Sequence, residues 1–308
     1  MLRPSVTSKN AMTNRILDIA TTAASLHTRH GLLVVDVEGV ERETIPFADL
    51  AAVVVSNRQV VFTQSVLTGL AEAGAMLITC DEKHHPASML LPLAGHYAQG
   101  ERFARQAALP EPRKKRWWQA IVRAKIAAQA MTLERLRGMD YGLNGMAGRV
   151  GSGDPQNVEA QAARRYWMLI FGDSDFRRGE ESDPRNARLN YGYAILRAAA
   201  ARALCACGLH PSFGLHHRNK LNPFVLADDL MEPFRPVVDR VVAQLEAPDA
   251  ELTPAVKRAL IGAVTGRYRM EGEQRTLFDL LTRTAQGLAA AVMAADAGWK
   301  PGAWEFVD

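Results

Sequence analysis

An α+β chain, with a small N-terminal mainly-β domain ahead of a larger all-α C-terminal domain, is predicted by three features of the sequence. Up to about Leu93, short β-branched runs are bounded by glycine, asparagine and charged residues. Beyond that point apolar residues recur at helical spacing almost to the end. The length of 308 residues, with 48% hydrophobic and 23% charged side chains, suits two modest domains around a sizeable core. The expected boundaries are a strand-rich domain over residues 12–95, a linker over 96–112 and a helical domain over 113–308.

Residues 1–10 read as a mobile leader, which leaves the natural start open between Met1 and Met12. The runs "GLLVVDVEG", "LAAVVVSN" and "AMLITCD" predict strands, and "TQSVLTGLAEAG" predicts a short helix just before the third of them. "LPEPRKKR" is the most loop-like stretch at the domain junction. Then "WWQAIVRAKIAAQAMTLERLRG", "PQNVEAQAARRYWMLIFG" and "RLNYGYAILRAAAARALCACG" each carry helical periodicity and close on a glycine suited to a helix C-terminus. There is no internal repeat, no apolar run long enough to cross a membrane and no signal-peptide pattern, so a cytoplasmic protein without membrane contact is expected. Cys80, Cys205 and Cys207 are spaced poorly for chelation or a disulfide and are expected as reduced thiols. A net charge of +4 leans only weakly towards a polyanion partner.

The acidic residues are more informative. Asp154 followed by Pro155 predicts a helix start, and Glu159, Ala163, Tyr166 and Ile170 then fall at steps of four, three and four. Glu159 therefore shares the stripe expected to pack, where a carboxylate needs a cation or an arginine; the plainer alternative is a first-turn glutamate favoured by the helix dipole. Downstream, "LHPSFGLHHRNKLN" predicts a loop, and Asn222 with Pro223 predicts the cap and first turn of the next helix. In that helix Asp229 or Asp228 can share a face with Glu232, an arrangement that needs a positive partner, for which Arg235 is the structural alternative to a bound ion. One glutamate, a loop histidine and a helical carboxylate pair make a mixed oxygen and nitrogen set suited to Mg²⁺ or Mn²⁺. Asp228 is expected as a solvated neighbour.

"NVEAQAARRYWMLIFG", "LNYGYAILRAAAARALCACGLHPSFGLHH" and "LADDLMEPFRP" resemble, in order, the three motif regions of the CRISPR-associated integrase family, the larger of the two universal spacer-acquisition proteins. "CDEKHHPASMLLPLAGH" and "WWQAIVRAKIAAQA" resemble its type II branch. The resemblance runs from about Met12 to beyond "DRVVAQL". It implies a homodimer whose helical domain is catalytic, a metal-dependent DNA endonuclease and integrase that inserts short DNA spacers into a CRISPR array in antiviral defence. It implies double-stranded DNA and the small second adaptation protein, bridging two dimers, as partners, with the type II effector nuclease helping to choose fragments. The family's catalytic, metal-binding residues fall on Glu159 and His217, and its frequent aspartate on Glu232, with Asp229 at a further acidic position outside the first ligand set. His216, where the family has an apolar residue, leaves open which imidazole ligates.

Arg113, Lys114, Lys115 and Arg116 form the densest basic run, joined by Arg123, Lys125, Arg164, Arg165, Arg177 and Arg178. Such a set can grip phosphates without reading sequence, and its bland counterpart is a solvated helix face beside two core tryptophans. Two other functions remain compatible with the same residues: a DNA-binding scaffold in which the acids are structural, and a branched-DNA repair nuclease.

Overall fold

The computed structural model describes residues 15–20, 22–37, 40–82, 86–92, 95–180, 182–245, 252–295 and 298–307, so the expected leader and Met12 lie outside the described residues. The strand-rich part contains two four-stranded sheets. In the first, β1 (Arg15–Ile19), β5 (Leu50–Val55) and β7 (Met76–Cys80) run parallel, and β8 (Pro86–Leu90) closes the edge antiparallel to β7. In the second, the order is β4 (Val40–Pro46), β3 (Leu32–Val37), β2 (Ala24–Arg29) and β6 (Val61–Phe62). The helix α1 (Gln64–Glu72) lies against β2 and β7. Every residue of β5 is buried, which explains why "LAAVVV" reads as an unbroken apolar run: one face meets the second sheet and the other meets the helical domain.

The segment expected as a linker contains helix α2 (Gln99–Ala107), and it is docked rather than free. Gln106 is buried and exchanges hydrogen bonds with His210, donating to its carbonyl at 3.2 Å and accepting from its N–H at 2.8 Å. "LPEPRKKR" likewise leads straight into a helix: α3 (Glu111–Arg137) begins there and ends on the left-handed Gly138. After it come α4 (Leu143–Arg149) and α5 (Val158–Phe171), then the almost wholly buried α6 (Pro184–Ala206) around which the rest assembles. Next, α7 (Val225–Met231) is joined by a single 3₁₀ turn, Glu232–Phe234, to α8 (Arg235–Gln244), and α9 (Pro254–Thr265) follows.

The C-terminal part departs from the all-helical expectation in one respect. A small antiparallel sheet of β9 (Arg267–Met270), β10 (Glu273–Thr276) and the later β11 (Trp304–Phe306) packs beside α10 (Leu277–Met293). Its strands are three or four residues long, too short to leave a period-two pattern. None of the helices among the described residues is long and apolar enough to cross a membrane.

Candidate active site

Glu159 owes its position to a cap. The Asp154 carboxylate accepts from the N–H groups of Val158 and Glu159, both at 2.9 Å, although the helix proper begins only at Val158. The buried stripe of α5 is Val158, Ala162, Tyr166 and Ile170, one position round from the expected one at its N-terminal end, so Glu159 stands at its rim. Its side chain, 23% exposed, faces α3 and accepts from the Lys125 ammonium at 2.6 Å.

Lys125 meets a second carboxylate on its other side, with Glu232 Oε2 2.7 Å away. The ammonium thus sits between carboxylates from two different elements. The 3₁₀ turn that breaks α7 from α8 aims Glu232 inward, where its side chain is 3% exposed. Its Oε1 pairs with Arg235 at 2.9 Å, whereas Oε2 has the ion pair with Lys125 but no aligned hydrogen-bond donor. Burial pushes the Glu232 pKa up, yet Arg235 and then Lys125 outweigh it and hold the carboxyl below its ordinary range. Burial works against the Lys125 charge too, and Glu232 with Glu159 more than restores it.

His217 lies on the loop before α7, and Asp229 holds it. Asp229 is fully buried and its Oδ2 accepts from the N–H groups of Leu215 at 2.6 Å and His216 at 3.1 Å. Oδ1 accepts from the His217 N–H at 3.3 Å and lies 2.6 Å from its Nδ1. Gly214 allows so tight a loop, because a Cβ there would come within 2.7 Å of the His217 carbonyl. The Asp229 bond raises the His217 pKa against the opposing effect of burial. With Nδ1 engaged, Nε2 is the ring nitrogen left to meet a ligand or carry a proton. His216 is exposed and stacks on the buried Trp118 ring at 4.2 Å, while His217 meets the same ring edge-on at 5.5 Å.

Three expectations need correction. Asp228 is not solvated: it is 5% exposed, pairs with Arg197 at 2.6 Å and accepts from Asn222 at 2.6 Å, tying the loop to α6. Arg113 is not a surface cation, because it is buried at the α3 N-terminus, where it donates to the carbonyls of Ala291 and Ala294 at 2.5 Å and stacks over Trp117. Lys125 belongs among the acids, not on a cationic face. Lys115, Arg116, Arg164 and Arg165 are exposed, and Lys114 is half-buried and paired with Glu111. Lys114, Arg218 and Lys220 line an open cleft of about 670 Å³ that reaches His217.

Arg235, named from the sequence as the structural alternative to a bound ion, does pair with Glu232, and Tyr193 and Asp239, for which sequence reasoning had no role, extend this network inward. Arg235 stacks over Tyr193, whose hydroxyl donates to Asp239; Tyr166 donates to the other oxygen of Asp239 at 3.0 Å. Burial lifts the Asp239 pKa to about 7, against the two tyrosine hydrogen bonds. The missed signal for Lys125 is its spacing. Trp118, Val122, Gln129 and Thr132 are buried at helical steps, and Lys125 falls in the same series.

Among the described residues no three His, Cys, Asp or Glu side chains converge as a ready metal cage. The donor set nonetheless fits a hard divalent cation: two carboxylates already grip one positive charge, and one buried oxygen lacks an aligned donor. His217 supplies a nitrogen from the adjoining loop.

The family described as "CRISPR associated protein Cas1" matches residues 17–150 and 153–249. The CRISPR-associated endonuclease Cas1 of Neisseria meningitidis serogroup C is 40% identical over 258 residues, covering 82% of this chain and 84% of the relative. A second such endonuclease, from Pyrobaculum aerophilum, is 30% identical over 292 residues, covering 89% of this chain and 98% of its own. Among solved structures, a casposase bound to integration product superposes with a TM-score of 0.70 at 18% identity, covering 93% of this chain and 92% of that one.

Proposed function

The chain belongs to the Cas1 family of CRISPR associated proteins, and on that premise we propose that it is a divalent-metal-dependent DNA integrase and nuclease of CRISPR adaptation. The observation that carries this reading is the convergence of Glu159 and Glu232 on a single cation beside an imidazole oriented by a buried aspartate. It is supported by relatives named as endonucleases and by a neighbour of the same fold that holds an integration product.

Glu159 and Glu232, with His217, would hold Mg²⁺ or Mn²⁺. The ion's chemistry is to lower the pKa of a bound hydroxyl and to neutralise charge developing on the phosphate oxygens. The protein's own part is positioning. Asp229 fixes the His217 ring and tautomer so that Nε2 is turned towards the ion's place as its nitrogen donor. Lys115, Arg116, Arg164 and Arg165 bind the duplex backbone, and the cleft lined by Lys114, Arg218 and Lys220 leads it to His217. The DNA 3′-hydroxyl is the nucleophile, so one phosphodiester forms as another breaks and no covalent enzyme intermediate is needed. Water in place of that hydroxyl gives cleavage. The protein acts as a homodimer, with the small second adaptation protein joining two dimers and the type II effector nuclease helping to choose fragments.

The test is joining of a labelled duplex with free 3′-hydroxyl ends to a supercoiled repeat-bearing plasmid, with Mn²⁺, Mg²⁺ or chelator and with the small partner added. Joining that needs metal and the 3′-hydroxyl, and is lost in Glu159→Gln, is the expected result. Cleavage without joining would favour the branched-DNA repair nuclease, and binding without either would leave a scaffold.

A further inference from the structure

Lys125 stands where it is costly to place an ammonium. It is the only cation within reach of both Glu159 and Glu232 among the described ion pairs, at 2.6 and 2.7 Å. Arg235 already neutralises Glu232 through the other oxygen, so Lys125 is not required merely to balance that carboxylate. Its side chain, 13% exposed, descends from the buried stripe of α3 between helices that carry the acids, and it leaves Glu232 Oε2 without an aligned donor. An ammonium and a divalent ion cannot share one pair of carboxylates at such distances, because each would lie within the other's repulsion in a poorly screened interior.

We propose that Lys125 is an internal competitor for the metal, a tethered cation that keeps the carboxylate pair together until a divalent ion displaces it. This rests on the metal-site reading of Glu159 and Glu232. Lys125 is therefore a positioning residue. It stabilises the metal-free fold and at the same time weakens metal affinity, so that only a doubly charged ion at sufficient concentration opens the pair. Displacement frees an ammonium on a four-carbon stem at the rim of the site, but the competition itself needs no second partner.

The experiment is isothermal titration of the metal-stripped full chain with MnCl₂, alongside thermal unfolding with and without Mn²⁺. Lys125→Gln keeps a donor for Glu159 and removes the charge; Lys125→Arg keeps the charge. Lys125→Gln should bind Mn²⁺ about tenfold or more tightly than the unaltered chain, and Lys125→Arg about as weakly as it. Lys125→Gln should also unfold at a lower temperature without metal and gain more from Mn²⁺. Equal or weaker Mn²⁺ binding by Lys125→Gln would overturn the proposal. If that variant does not fold without metal, recovery of its folding transition on adding Mn²⁺ supports competition, and no recovery overturns it. Glu159→Gln separates the two levels: if it binds Mn²⁺ as well as the unaltered chain does, the metal-site reading itself fails.

Discussion

Asp229→Asn should damage both the fold and the chemistry, and the size of the loss follows from what the carboxylate does. Its two oxygens receive the N–H groups of Leu215, His216 and His217 and face the His217 ring nitrogen, with no exposure to solvent. An amide can present oxygen to only one side. On the other side its NH₂ would oppose two donors, so two hydrogen bonds to a charged acceptor are lost at about 1.5–3 kcal/mol each. Part of this returns as the loop shifts, and the expected cost is about 3 kcal/mol, or a fall in melting temperature of about 6–12 °C. Joining activity should fall at least about a hundredfold, because a misplaced imidazole no longer presents its nitrogen to the ion. Denaturant unfolding and plasmid joining under the same conditions measure both. A loss below about 1 kcal/mol with full joining would refute the idea that Asp229 holds the His217 loop. Unchanged stability of the metal-stripped chain together with lost Mn²⁺ binding would instead make Asp229 a direct ligand.

Lys115→Ala with Arg116→Ala should flatten the salt dependence of duplex binding by a slope of about two, read from affinities at several salt concentrations. Arg113→Ala should leave that slope unchanged and lower the melting temperature, since its guanidinium serves the carbonyls ending α10. Removing metal with chelator should abolish joining while duplex binding persists, as measured by mobility shift. Asp239 keeps its proton in the folded chain up to about pH 7, whereas the unfolded chain releases it near the ordinary aspartate value of 3.8. Its contribution to stability is therefore full below about pH 4 and declines as pH rises to about 7, by up to about 4 kcal/mol. Unfolding at a series of pH values should show this decline in the unaltered chain relative to Asp239→Asn; parallel profiles would contradict it.

The strands β3, β5 and β7 and the long helices were legible because burial dictates their composition: β5 is apolar throughout, and α3 and α5 end on left-handed Gly138 and Gly172. Glu159 and Glu232 were legible as acids beside packing faces. What escaped depended on partners far along the chain. Arg113 and Arg116 look alike in sequence, yet a carbonyl cluster from α10 buries the first and nothing covers the second. Asp228 and Asp229 are adjacent, but one turns to Arg197 on α6 and the other to the backbone of its own preceding loop. Lys125 could be known as a cation among acids only once α5 and the turn after α7 were brought to α3. The strands of the C-terminal sheet are too short to announce themselves before their neighbours exist.

One feature of α3 bears on how a substrate could be measured. Its N-terminus is anchored by Arg113 to the end of α10, and Lys125 and the exposed Arg116 lie nine helical steps apart on one unbroken helix. At 1.5 Å per residue that is about 14 Å, close to four base-pair steps of a duplex, at 3.4 Å each. On the proposed reading the helix would act as a rigid ruler: a backbone gripped at its basic end would be offered to the acids at a fixed offset, set by secondary structure rather than by the motion of a loop.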